Sequence, residues 1–484
     1  MQISHSDRRP RHGASLLAGA IGLVAVAAAL ATSGPPAPGA DPAPGPVTAT
    51  LPGAPSGPFL RVGMGSCAAR GCHGAVAPTD PSRGDVFIED GQYTTWRSYD
   101  PHSRAYAVLL EGRSDEIARK MEKTLGTASA REAKACLACH APAGPGAVSL
   151  TAGVSCEACH GPAQRWKDLH LATAWRARSA DVKARDGLTD LSGPAARAAS
   201  CVSCHVGDRS AGMDVNHDLI AAGHPRLNFE YASYLASYPK HWREAHEKTG
   251  AAGGKHPGRG EFEARSWAVG QAVTARAALG LLADRARDSR GDEATASPWP
   301  EFAESECFAC HHDLTSPSWR QAQGPAGRRP GQIPWSSWFS AMLPGLAQDH
   351  KEVDLSSDGS PWRKLGARMQ LVEPDAKTVE DLAGEIRKRF PAWIAALEAE
   401  PWDGRKVEAM ARSLSTGRVA RPESWDAATQ RYLALAAMGR ASDGYGLELP
   451  ADVVKAIDEV LKDLDFPSDF NSPRGYRPTT SPAP

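Results

Sequence analysis

Cysteine is sparse in this chain and none of it is spare: all ten cysteines among 484 residues fall in one repeated motif that ends in histidine. No thiol is left over for a structural disulfide or a free nucleophile. No charge of either sign dominates, since 55 Lys and Arg stand against 56 Asp and Glu, and that balance argues against a nucleic-acid partner. No strand-helix-strand pattern surrounds a Cys-x-x-Cys pair, which removes a thioredoxin-like redox pair. Beyond residue 320 there is no cysteine and a single histidine, His350, so that part of the chain carries no such motif.

What is there organises the rest. The stretch CLACHAPAGPGAVSLTAGVSCEACHGP holds two copies of Cys-x-x-Cys-His, Cys136/Cys139/His140 and Cys156/Cys159/His160. Cys201/Cys204/His205 and Cys307/Cys310/His311 repeat it, and Cys67/Cys72/His73 is a copy with four residues between the cysteines. In one helical turn, positions i, i+3 and i+4 share a face, so two thiols and an imidazole project together toward one flat object. A haem meets that description: the thiols form thioethers to its vinyl groups, and the histidine reaches the iron from one side. The wider first copy cannot be one tight turn, and Gly71 is the residue expected to let its backbone loop out. Zinc knuckles compete for the same pattern. They work in pairs, have no use for a histidine after each second cysteine, and would leave one of five unpartnered. The motifs therefore predict five covalently attached haems c, whose propionates make the loaded protein more acidic than its sequence.

The N-terminus reads as a targeting segment. Arg8, Arg9 and Arg11 precede an apolar run over 14–31, and Ala29-Leu30-Ala31 fits a small-residue cleavage site. An uncleaved anchor is the alternative, because the run is borderline in length for a bilayer. Residues 32–58 are rich in Pro, Gly and Ala and read as a disordered linker or tether. Export to the periplasm agrees with covalent haem, which bacteria attach outside the cytoplasm.

Candidate distal ligands follow the motifs. In GQYTTWRSYDPHSRAYAVLL, Trp96 and Tyr99 precede His102, and Tyr106, Leu109 and Leu110 continue an apolar face. His102 is thus either a sixth ligand or a capping residue after Pro101. The order of first motif, Trp96-x-x-Tyr99-x-x-His102-x-x-Ala105, CLACHAP and GVSCEACHGP resembles the cytochrome c-554 family of multihaem cytochromes, over about residues 65–161 and more loosely to His311. The resemblance implies a mostly helical, loop-rich periplasmic electron-transfer protein with stacked haems and mainly bis-histidine ligation, in which His102 is a distal ligand. It also departs from the best-known members, which have four motifs where this chain has five, the first in its wide form.

His170, beside Trp166 and Leu169, resembles the histidine that often follows CHGP in that family; a surface histidine on a helix face is the alternative. His217, His224 and His241 flank an apolar, aromatic run through Leu227, Phe229, Tyr231, Tyr234, Leu235 and Tyr238. Gly223, Pro225 and Pro239 hold His224 and His241 in rigid turns that suit fixed ligands. His246, His256, His312 and His350 stand in reserve, with His312 unable to share an iron with His311.

A helix over 262–287 with Trp267, Val269, Val273, Ala277, Leu281 and Leu282 inward leads to the fifth motif. From about 332 to 466 the pattern is helical, with Ile386/Phe390/Ile394/Leu397 and Ile457/Val460/Leu461/Leu464 as stripes, Ser424 as an N-cap and Pro391 kinking or dividing its helix. The expected fold is mainly α, a loop-rich multihaem cytochrome c domain over 59–320 and an all-α domain over 330–466, between a signal at 1–31 with its linker and a disordered tail at 467–484. Five irons and five distal candidates imply electron transfer between redox partner proteins, and no residue is assigned a catalytic role. Should one candidate be only a surface residue, its haem keeps an open position, as in a multihaem oxidoreductase acting on a small nitrogen or sulfur compound. No Cys-x-x-Cys-Lys variant of that class is present.

Overall fold

A computed structural model describes residues 59–75, 89–144, 146, 149–249, 256–291, 297–307, 310–311, 332–416 and 424–464. The targeting segment, the linker, His312 and the C-terminal tail lie outside the described residues. The fold is mainly helical and rich in loops, as expected; among the described residues, extended pairing amounts to isolated bridges such as Arg61 with Gly146. None of the described helices is long and apolar enough to cross a membrane.

The helices that position the site run α1 (Gln92–Tyr99), α2 (Gly112–Lys120), α3 (Lys134–His140), α4 (Cys156–His160), α5 (Pro194–His205), α6 (His217–Ala222), α7 (Tyr231–Ser237) and α8 (Pro257–Asp288). Six more follow: α9 (Pro361–Met369), α10 (Ala376–Arg387), α11 (Phe390–Ala399), α12 (Gly404–Thr416), α13 (Trp425–Tyr445) and α14 (Ala451–Asp463). The second, third and fourth motifs each close a helix, α3, α4 and α5, so their two cysteines and histidine do share one helical face. The fifth makes a single turn, with the His311 amide donating to the Cys307 carbonyl at 2.8 Å.

The first motif is built from turns, and the glycine that shapes it is not the expected one. A Cβ on Gly71 would meet nothing, whereas one on Gly74 would stand 2.1 Å from the Ala68 carbonyl oxygen. Gly74 therefore lets the loop fold back onto Ala68 directly after His73, a closure no side chain permits.

α8 is the axis of the molecule. Pro257 opens it, the His256 ring caps it by accepting from the Gly258 amide at 3.1 Å, and it runs for 32 residues. Its length is buried nearly all round, with Trp267, Val269, Val273, Leu281 and Leu282 inside, because α5 and α7 cover one side and α10, α11 and α13 the other. One hydrophobic core runs from Ala198 through α8 to Leu464, so the C-terminal helices share a core with α5, α7 and α8. In that part Ser424 caps α13 by accepting from the Ala427 amide, and Pro391 sits in the first turn of α11 just after α10 ends. The region before α5 has little apolar core of its own: Leu109, Ala118, Ala130, Leu137, Ala141 and Leu150 form a small satellite cluster beside the second motif.

Candidate functional site

The space that core side chains leave open is a continuous cavity of about 1980 Å³. Ordinary small-molecule pockets measure about 300–1,000 Å³, so this one has room for several ligands. The cysteines and histidines of the first four motifs all face it, together with His102, His170, His224 and His241. α13 supplies part of the wall through Trp425, Tyr432 and Arg440, which gives the C-terminal helices a role as a buttress.

Each motif histidine is paired with one of the candidate distal histidines. The ring centres stand 6.1 Å apart for His73 and His170, 6.0 Å for His205 and His102, 6.4 Å for His140 and His224, and 6.3 Å for His160 and His241. The fifth couple, His311 and His217, is 6.3 Å apart and lies outside the large cavity, with Phe302 edge-on to His217 at 5.8 Å. A first-row metal takes an imidazole nitrogen at about 2.0 Å and the ring centre lies roughly 1.1 Å behind it, so two rings gripping one ion have centres about 6.2 Å apart. All five couples have the spacing that an iron between them requires. No three His, Cys, Asp or Glu side chains converge among the described residues in the way a zinc site needs.

Ring orientation is fixed from behind. His73 Nδ1 is 2.9 Å from Gln92 Oε1, His140 Nδ1 donates to the Ala105 carbonyl at 2.9 Å, His224 Nδ1 to the Pro225 carbonyl at 2.8 Å, and His170 Nδ1 to the Lys167 carbonyl. His102 Nδ1 is 2.9 Å from Asp100 Oδ1. A proton held at Nδ1 leaves Nε2 as the free donor nitrogen, the usual arrangement behind a ligating histidine. Burial also favours the neutral ring, with a lone pair to give, at five of the ten histidines. It pushes His140, His160 and His224 below the ordinary histidine value and brings His205 and His241 down to about 4. At His102 burial pushes the same way, but the Asp100 carboxylate outweighs it and the value rises.

The couples are also neighbours. The thiols of Cys67 and Cys156 lie within hydrogen-bonding reach of each other, as do those of Cys139 and Cys204. His160 is close enough to His73 for their charges to interact, and His205 to both His102 and His140. α6 begins at His217 and ends one residue before the turn that carries His224, so one short helix of about 9 Å joins the fifth couple to the second.

The reserve histidines do other work. His256 caps α8, His246 packs against Phe262 at 5.3 Å, and His350 sits between Glu352 and Glu400 at 3.6 and 3.7 Å. Other residues at the site carry little signal in the sequence. Glu157, inside the third motif and 2 % exposed, accepts backbone N–H groups of Val62, Gly63 and Ala163 at 2.8–3.0 Å and so ties the first motif's entry to the third. An acid inside an otherwise apolar CEACH was its signal. Arg226, two residues after His224, is half-buried and pairs at 2.8 Å with the buried Asp426 of α13. Asp100, Tyr238 and Gln92 likewise carried no mark beyond standing near histidines.

Residues 69–161 match the family described as cytochrome c554 and c-prime. The match supports a c-type cytochrome for that segment, and with it covalently bound haem c and electron transfer; it takes in His73, His102 and the second and third motifs and stops at Gly161. The last two motifs and α5 to α14 lie beyond it. No curated protein and no solved structure matches the chain.

Proposed function

We propose that this chain is an exported pentahaem c-type cytochrome that relays single electrons between two redox partner proteins. The observation that carries the reading is the five histidine couples, each spaced 6.0–6.4 Å between ring centres and each joining a motif histidine to a distant one. Bound haem would supply a reversible one-electron change at iron. The protein's part would be to hold each haem iron between two imidazoles, which would leave no place for substrate and suit one-electron transfer with little rearrangement. The ten cysteines fix each group in place, and Gln92, Asp100 and three backbone carbonyls hold the rings.

The proximities among couples support one path. It runs from His73/His170 to His160/His241, on to His205/His102, then His140/His224, and across α6 to His311/His217. Cys72 at one end and Cys310 and His311 at the other are exposed, so both ends of the path come to the surface where partners dock. Arg8, Arg9, Arg11 and the apolar run over 14–31 support export, with cleavage or retention as a tether.

Electron paramagnetic resonance with carbon monoxide titration tests the reading. It predicts only low-spin iron and no carbonyl shift in the visible spectrum. High-spin iron, or one haem that takes up carbon monoxide, would instead support an oxidoreductase with an open iron.

A further inference from the structure

The five couples differ in what stands behind the ring. Among the described hydrogen bonds, His73 rests on an amide oxygen, and His140, His170 and His224 on backbone carbonyls. His102 alone of these rests on a carboxylate, Asp100 Oδ1 at 2.9 Å, which also accepts the His102 backbone amide at 2.9 Å. Asp100 is fully buried. None of the described ion pairs gives it a lysine or arginine. Its second oxygen accepts the Tyr238 hydroxyl, and the Tyr238 ring lies 6.0 Å from His102 and 6.4 Å from His241, at the junction of two couples.

Two physical effects act in the same direction. A carboxylate that draws on the Nδ1 proton adds electron density to the imidazole, and a richer donor stabilises the higher oxidation state of the iron it holds. A buried negative charge that none of the described ion pairs joins to a lysine or arginine does so again through space, because little solvent intervenes. Tyr238 works against both by taking part of the carboxylate's charge. The His102 backbone N–H, the His102 ring and the Tyr238 hydroxyl converge on its two oxygens, a donor set that suits a carboxylate, which only accepts.

We propose that Asp100 sets the potential of the iron between His205 and His102 below those of the other four, making the middle of the relay its hardest position to reduce. The inference rests on the reading of five ligand couples. Its consequence is a relay divided into two arms of two couples each, both filled before the centre accepts an electron.

The test is a potentiometric titration of the full-length, haem-loaded protein, followed by visible absorbance and by paramagnetic resonance. Asp100→Asn should raise the reduced-to-oxidised ratio of one haem at fixed poise by about tenfold, which is 59 mV for a one-electron couple, and leave the other four in place. Tyr238→Phe frees the carboxylate and should move that same haem the opposite way, whereas Asp100→Glu should stay near the parent. Five low-spin haems with unchanged potentials in Asp100→Asn overturn the proposal, as does an equal shift of all five. If Asp100→Asn does not load, Tyr238→Phe decides: a downward shift of one haem supports the role of Asp100, and no shift refutes it. Fewer than five haems, or high-spin iron in the parent itself, would defeat the five-couple reading instead.

Discussion

Arg226 joins the histidine-rich segment to α13, and replacing it with methionine measures how firmly that wall of the cavity is held. Its guanidinium donates to both Asp426 oxygens at 2.9 and 2.8 Å and to Ser336 Oγ at 2.9 Å, and Asp426 is 3 % exposed. In Arg226→Met the buried carboxylate keeps, among the described hydrogen bonds, the Ser336 hydroxyl at 2.9 Å. Stripping one partner from a buried ion pair costs about 3–5 kcal/mol, because the other charge stays desolvated. Against a net stability of about 5–15 kcal/mol for a typical protein, that is about a fifth at the least. Urea unfolding followed by far-ultraviolet circular dichroism reads the effect as a midpoint shift, the safer quantity where covalent cofactors disturb two-state behaviour. Arg226→Met/Asp426→Leu should recover most of the loss, since an apolar pair of similar volume replaces a buried ion pair at little or no cost. A single-variant midpoint equivalent to less than about 1 kcal/mol below the parent would refute the reasoning.

Three further outcomes are expected. The ring planes cross at 89°, 86° and 66° in the His102/His205, His140/His224 and His160/His241 couples but lie at 19° and 31° in His73/His170 and His217/His311. Low-temperature resonance spectra should accordingly divide into three strongly anisotropic low-spin signals and two ordinary rhombic ones; a single class would be inconsistent with this geometry. His217→Ala should turn one haem in five high-spin and open it to carbon monoxide, while His350→Ala, between its two glutamates, should leave the spectrum alone. Burial pushes Glu244 up, but bonds from Arg197 at 2.7 Å and Trp242 at 2.7 Å more than offset it and hold it below the ordinary glutamate value. A lowered folded-state pKa stabilises above the unfolded value of about 4.3 and stops doing so as pH falls through the folded one. Arg197→Gln should therefore flatten the acid side of the midpoint-versus-pH curve and change its neutral side by a constant offset; an unchanged acid slope would count against the pair.

The repeating motif made the helical turns of α3, α4 and the end of α5 legible, because a one-turn spacing dictates a shared face. Candidate distal histidines could be nominated from their aromatic and proline-flanked surroundings, but not matched to partners. His73 meets His170 and His160 meets His241 across long stretches of chain, and only tertiary packing closes such distances. Gly71 drew attention as the flexible residue of the wide motif, whereas the steric need falls on Gly74, which depends on where the Ala68 carbonyl ends up. The C-terminal stripes around Phe390 and Ile457 announced helices. They did not announce that those helices would share a core with α8, whose burial on nearly every side leaves no single stripe to read. Asp100 stood in plain view before Pro101, where an aspartate ordinarily caps a turn, and it does cap one. Its second partner, Tyr238, becomes a neighbour only in the folded chain.

Intact-mass spectrometry of the mature, exported chain, with iron determined on the same sample, tests the central claim most directly. Five haem masses and five irons per polypeptide are predicted, one for each cysteine pair. A colourless chain of unmodified mass, or one carrying fewer than five haems when fully matured, would contradict it.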